Sequence, residues 1–242
     1  MSCSIKIGHL FPDILNMYGD KGNIASLVHR MKWRDIDAEV LEVLKDDEIN
    51  LENFDIVLLS GGSEKDDCQA CELLKSHKDK IKAYVENGGV MLATCGGFTM
   101  LGNFFMIKDE KIEGLSVLDM ESCYDERFIG NIVIETEITG EKIKVAGFEN
   151  HAARTDIKNL TSFGNVLTGS GNNGKDKTCG VVYKNLIGTY IHGPLLPKNP
   201  KVCDYIIKKA LEKKYNEEIN LTPLNDTLEN EALDYSLKRF SE

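Results

Sequence analysis

Short apolar runs separated by polar turns organise the first hundred positions of this chain. Positions 5–10 (IKIGHL) predict a short opening strand, and the turn-like FPDILNMYGDKGN at 11–23 follows. Positions 24–33 have helical spacing, with Ile24, Leu27, Val28 and Met31 on one face. A second strand is predicted over 38–43. Positions 54–60 form a near-continuous apolar run ended by Gly61-Gly62, as suits a central parallel strand buried on both faces. Positions 68–86 predict one helix, stopped by Asn87-Gly88-Gly89. Val90-Met91-Leu92-Ala93-Thr94 predicts another buried strand, running into Cys95-Gly96-Gly97 and then a helix over 98–105. Alternating strands and helices with short connections predict an α/β fold around a mostly parallel, doubly wound sheet.

The pattern changes beyond Lys108. Strands are predicted over 129–138, 142–148, 179–183 and 186–191, with few helices between them, and a helix returns over 202–215. The expected organisation is one domain, 1–215, and an acidic, polar tail, 216–242. Scattered Leu and Tyr in that tail suggest a loosely attached helix or a segment that docks on a partner.

Composition narrows the function classes. Hydrophobic residues make up 42% of the 242 positions, enough for a sizeable core. A net charge of -10 without a long Lys/Arg cluster argues against a nucleic-acid footprint. It argues equally against electrostatic docking on an anionic membrane. The N-terminal residues lack the apolar core of a signal peptide, and no stretch of eighteen apolar residues would form a transmembrane span. Seven scattered cysteines fit reduced thiols better than a disulfide framework. The expected location is cytoplasmic.

The sharpest chemical feature is the junction Leu92-Ala93-Thr94-Cys95-Gly96-Gly97. A buried strand stops, one residue occupies a tight turn and a helix begins, as in a nucleophile elbow. The glycines permit the turn and the close approach of a substrate. The helix N-terminus is expected to lower the thiol pKa, and the Gly96 N–H to face a developing oxyanion. A thiolate needs a general base. His192, in Gly188-Thr189-Tyr190-Ile191-His192-Gly193-Pro194, ends an apolar strand and is the first candidate. His151, after Gly147-Phe148-Glu149-Asn150, is the second. His29 and His77 fall in helical stretches, and His9 lies within the first strand. The turn Ser60-Gly61-Gly62-Ser63 ends the strand before the elbow strand; it reads either as further oxyanion donors or as an ordinary βα turn.

Two patterns are set aside. Gly169 to Asp176 nearly spells a phosphate-binding loop, but Asp176 replaces the Mg²⁺-binding hydroxyl and the flanking strand and helix are missing. Cys68 and Cys71 lack a second pair at zinc spacing, so no metal is expected.

The elbow, the Gly61-Gly62 turn and the late Gly-Thr-Tyr-Ile-His192-Gly-Pro together resemble the class I glutamine amidotransferases of the cobyric-acid-synthase-like branch. The segments at 11–23 and Gly147-Phe-Glu-Asn-His-Ala-Ala-Arg-Thr155 are similar to the GatD type, the glutaminase subunits of lipid II isoglutaminyl synthases. The resemblance spans roughly residues 5–200 and implies a flavodoxin-like, three-layer architecture. It implies that Cys95 attacks the side-chain amide of L-glutamine and that His192 handles the protons. Gly96 and Gly62 would hold the oxyanion, and Arg127 and Gly61 would bind substrate. It also implies a heterodimer with MurT, a Mur-ligase-like subunit that uses ATP and Mg²⁺ to amidate the D-glutamate of lipid II; this chain would need no cofactor. There are departures from the family pattern. Pro194 stands where many class I members have a Glu, so an acidic residue is expected from the partner. Thr99, Ser63-Glu64 and Ala93 replace a Gln, a Gln-Asp pair and a Gly. Two rival expectations are a cobyric-acid-like amidotransferase with another acceptor and a catalytically silent binding subunit.

Overall fold

The computed structural model describes residues 3–17 and 20–240. Tyr18 and Gly19, within the 11–23 segment, lie outside the described residues. The first half runs β1 (Ser4–Leu10), α1 (Lys21–Lys32), β2 (Asp37–Val43), β3 (Ile56–Leu59), α2 (Glu64–Lys75), α3 (Lys78–Glu86), β4 (Val90–Thr94) and α4 (Gly96–Met100). The second half is strand-rich: β5 (Phe104–Ile107), β6 (Glu110–Glu113), β7 (Glu121–Thr136), β8 (Ile143–Asp156), β9 (Gly164–Thr168), β10 (Thr178–Cys179), β11 (Val181–Tyr183), β12 (Leu186–Thr189) and β13 (Ile191–His192). It closes with α5 (Leu195–Lys198), α6 (Pro200–Tyr215) and α7 (Thr227–Phe240).

Six strands form the first sheet in the order β11-β12-β4-β3-β1-β2, parallel apart from the β11–β12 hairpin. Every residue of β3 and β4 is buried, which is why both read as continuous apolar runs. Successive side chains serve opposite faces. Val57, Leu59, Met91 and Ala93 pack with Leu74, Ile81 and Val85 of α2 and α3. Ile56, Leu58, Val90 and Leu92 pack with Leu27 and Met31 of α1 and Ile206 and Ile207 of α6. This is the three-layer arrangement the resemblance implies. A second sheet, β10-β9-β7-β5-β6 with β8 and β13 alongside, is largely antiparallel, and β7 and β8 form its long central ribbon.

Three local predictions are corrected. The single helix over 68–86 is two, because His77 takes φ -106 and ψ 3 between them. The first of the two also starts earlier, at Glu64, where Ser63 and Asp66 form a reciprocal capping box. The helix over 98–105 is α4 alone, ending at Met100; Phe104–Ile107 leaves it to pair with β6 and β7. The ribbon reaches well beyond 129–138 and 142–148: the added part of β7 carries exposed charged residues that interrupt the apolar alternation, and the added part of β8 buries polar ones, Glu149, His151 and Thr155.

The tail is tied down at its root. Arg30, 3% exposed, makes a fork of hydrogen bonds to Asp204 (both 2.7 Å) and another to Asp226 (2.7 and 2.8 Å). Arg30 is buried while both carboxylates are partly exposed, so losing either one weakens the anchor but leaves the guanidinium paired. Helix α7 beyond it buries no residue, and Leu228 and Tyr235 are exposed. Among the described residues no helix is long and apolar enough to cross a membrane.

Candidate active site

Strand β4 delivers Cys95 to the C-terminal edge of the first sheet. Its backbone sits at φ 51, ψ -117, a conformation rare outside glycine. Two hydrogen bonds hold it there: Cys95 N–H to the Thr189 carbonyl of β12 (2.9 Å), and Thr99 N–H to the Cys95 carbonyl (3.0 Å). Gly97 packs directly on the Leu59 carbonyl, leaving no room for a Cβ. Gly61 lies equally close from the next strand. A Cβ there would stand 2.7 Å from Gly96 N and 2.9 Å from Cys95 Cβ. The elbow is a strained turn wedged between two glycine contacts, as its sequence implies.

A small cavity of about 20 Å³ opens beside Cys95, with Gly62, Asp67, Tyr124, Arg127, His151 and Tyr190 among its walls. Arg127 is 38% exposed and stands at the bulge of β7 between Tyr124 and Phe128. Its Nη1 donates to the Asn150 carbonyl and to Asn150 Oδ1, both at 3.2 Å, and its Nη2 lies 4.0 Å from Glu64. Beneath the cavity, buried hydroxyls link Thr99, Tyr190, Thr155 and Ser122 in one chain at 3.0, 2.5 and 2.8 Å.

The residues selected from sequence converge unequally. Cys95, Gly62 and Arg127 share this cavity, with Gly61 and Gly96 packed behind the thiol. The cavity histidine is His151, the second candidate. It is 2% exposed, stacked on Tyr190 at 4.0 Å, with Nδ1 3.0 Å from the Ala153 carbonyl. His192 is equally buried, in β13 opposite Phe148, three residues beyond the Thr189 carbonyl that accepts the Cys95 N–H. Both histidines therefore lie at the edge that carries the elbow. His29 is exposed, His77 half-buried and His9 wholly buried in β1.

The electrostatics reverse one expectation. Burial, reinforced by the negative charges of Asp67 and Asp20, pushes the Cys95 thiol well up rather than down. A five-residue helix supplies little dipole, and the lowering influence of the Gly96 N–H only partly offsets burial. Burial also holds His192 down to about 4, so its imidazole is neutral at physiological pH. His151 is held down to about 3, chiefly by burial, with the Arg154 and His192 charges adding to it.

Sequence reasoning missed Asp67. This residue is 5% exposed, is pushed up to about 7 mainly by burial, and accepts the Gly62 N–H at 2.8 Å. The signal was present: Ser63-Glu64-Lys65-Asp66 is a capping-box spacing, which starts a helix at Glu64 and leaves Asp67 in its first turn. Among the described residues no three His, Cys, Asp or Glu side chains cluster as a metal site requires.

Comparison with known proteins converges on the same segment. The profile of the CobB/CobQ-like glutamine amidotransferase domain matches residues 6–200. The GatD subunit of the glutamine-hydrolysing lipid II isoglutaminyl synthase of Staphylococcus aureus strain N315 is 40% identical over 212 residues, 87% of this chain and 86% of the relative. The GatD subunit of Streptococcus pneumoniae strain R6 is 35% identical over 237 residues, covering 96% and 90%. A solved structure described as a glutamine amidotransferase shares the fold at a TM-score of 0.56 and 17% identity, covering 84% of this chain and 98% of its own.

Proposed function

Because this chain belongs to the CobB/CobQ-like glutamine amidotransferase family, we propose that it is the glutamine-hydrolysing subunit of a lipid II isoglutaminyl synthase working in the cytoplasm. The observation that carries the reading is the strained Cys95 elbow, sharing one cavity with Arg127 and Gly62. Two GatD relatives matched over most of both chains support the choice of acceptor.

In this reading Arg127 holds the α-carboxylate of L-glutamine with its guanidinium fork. Cys95 Sγ attacks the side-chain amide carbon, and the thiol proton passes to His192. The oxyanion of the tetrahedral intermediate rests on the N–H groups of Gly96 and Gly62, with Gly61 shaping the floor. His192 then gives its proton to the leaving nitrogen. Ammonia departs and a glutamyl thioester remains. Water, deprotonated by His192, attacks the thioester, and glutamate leaves with the thiol restored. The ammonia is consumed by a Mur-ligase-like MurT partner, which uses ATP and Mg²⁺ to activate the D-glutamate α-carboxylate of lipid II and convert it to D-isoglutamine. In this reading no cofactor is held by the present chain, and lipid II is reached through the partner.

Reconstitution with such a subunit tests the assignment. Glutamine, ATP, Mg²⁺ and lipid II should yield amidated lipid II and glutamate together. Glutamate release with no amidated product would remove this acceptor. Arg127→Ala should raise the KM for glutamine by roughly ten- to a hundredfold, the worth of a charge-assisted pair, with a smaller effect on kcat. An unchanged KM would withdraw Arg127 from the substrate site.

A further inference from the structure

Of the two N–H groups assigned above to the oxyanion, one is already engaged and the other is crowded by the same carboxylate. Gly62 N–H donates to Asp67 Oδ1 at 2.8 Å in a buried bond. The same carboxylate lies directly over Gly96 Cα, so close that a Cβ there would collide with it. The cavity left beside the Cys95 sulfur, about 20 Å³, has room for about one water. An amide substrate cannot reach the thiol until a wall moves.

Of the two carboxylates in these walls, Glu64 faces Arg127 and is half exposed, whereas Asp67 is buried against the elbow glycines. We infer that Asp67 is an autoinhibitory residue: in the chain alone its carboxylate stands in for the substrate oxyanion at Gly62 and Gly96 and keeps Cys95 in the thiol form. This rests on the glutaminase reading of the site.

Asp67 is suited to leave. The capping of α2 is done by its neighbour: Asp66 Oδ2 bonds Ser63 Oγ at 2.6 Å and Ser63 N at 3.1 Å. Asp67 has no part in that cap, so displacing it leaves the helix start intact. The charged and titratable groups around it oppose one another. Asp66 and Glu64 of α2 repel its charge, and Arg127 of β7 attracts it. Tyr124 of β7 and Cys95 of the elbow are both pushed up chiefly by burial and then by that charge. Arg127, at the cavity rim, is the cation towards which an outward-turned carboxylate would move. Loss of Asp67 from the hole would free the Gly62 N–H, relieve the sulfur of the Asp67 charge and widen the cavity in one step.

The pH dependence of Cys95 alkylation by iodoacetamide tests this. The full chain, Asp67→Asn and Asp67→Ala are compared, with modification followed at the Cys95 peptide by mass spectrometry and folding checked by thermal melting. Asparagine keeps the shape and the acceptor but removes the charge, and guards against a variant that fails to fold. The readout is the pH midpoint, which a change of access alone would not move. Both variants should lower it by a unit or more, giving roughly tenfold faster alkylation near neutrality. Wild-type glutamine hydrolysis with the partner subunit is measured in parallel. If that hydrolysis is intact and either variant leaves the midpoint unmoved, autoinhibition by Asp67 is wrong and the glutaminase reading stands. If the wild-type complex releases no glutamate, both fall.

Discussion

Replacing Cys95 by alanine should reduce glutamine hydrolysis by about 10⁴-fold or more, to the level left by binding and oxyanion contacts alone. The fold should survive, because the elbow is held by backbone groups: the Cys95 N–H to Thr189 and its carbonyl to Thr99. Neither bond involves the side chain. Supplied with ammonium salts, the complex of this variant with its partner should still amidate lipid II, since only ammonia generation is lost. Hydrolysis within tenfold of wild type would remove Cys95 as the nucleophile. Loss of the ammonia-dependent reaction as well would mean that the substitution had disrupted the complex rather than the chemistry.

His192→Gln should lower kcat by about 10²–10⁴-fold, the usual contribution of a positioned acid–base group, with little change in KM. The position is set by β13, which pairs with β8 opposite Phe148, and by Gly193 at φ 111 just after it. A stability measurement separates lost chemistry from lost structure. Burial holds the folded imidazole down to about 4, against 6.5 for the free side chain. Between those values the unfolded chain binds the extra proton, so wild-type stability falls as pH drops from about 6.5 towards 4. Above that window the penalty is absent. Glutamine at this position carries no such penalty, so the variant should gain stability relative to wild type as the pH falls, by at most about 3 kcal/mol. His151, which the His192 charge also holds down, is relieved of that repulsion in the variant, a further change of the same sign. A relative stability that stays flat across the window would mean that residue 192 is not a neutral, buried imidazole.

How far the sequence foretells the molecule depends on which forces leave a local mark. Strands β3 and β4 are legible because burial on both faces demands continuous apolar runs, and the elbow because only glycine fits against Leu59, Gly61 and Cys95. The break at Ser76-His77 is not, since the apolar spacing continues across it from Leu74 to Ile81. Phe104 and Phe105 read as the end of a helix, and only pairing with β6 and β7 makes 104–107 a strand.

The candidate site follows the same division. Cys95, Gly62 and Arg127 come from three elements, and the fold brings them to one cavity. Asp67 was hidden in an acidic run that reads as a solvated turn until the capping box fixes its direction. The reversed thiol pKa was also out of reach. An elbow motif suggests a helix dipole, whereas burial and the placement of Asp67 are properties of the assembled core.

The central claim, that Cys95 becomes acylated by the side chain of glutamine, is tested most directly with a diazoketone analogue of glutamine. The analogue is incubated with the complex and the modified residue is mapped by mass spectrometry. One equivalent should be bound at Cys95, with glutamine protecting against labelling and hydrolysis lost in step. Labelling at any of the other six cysteines, or at none while glutamine is still hydrolysed, would contradict it.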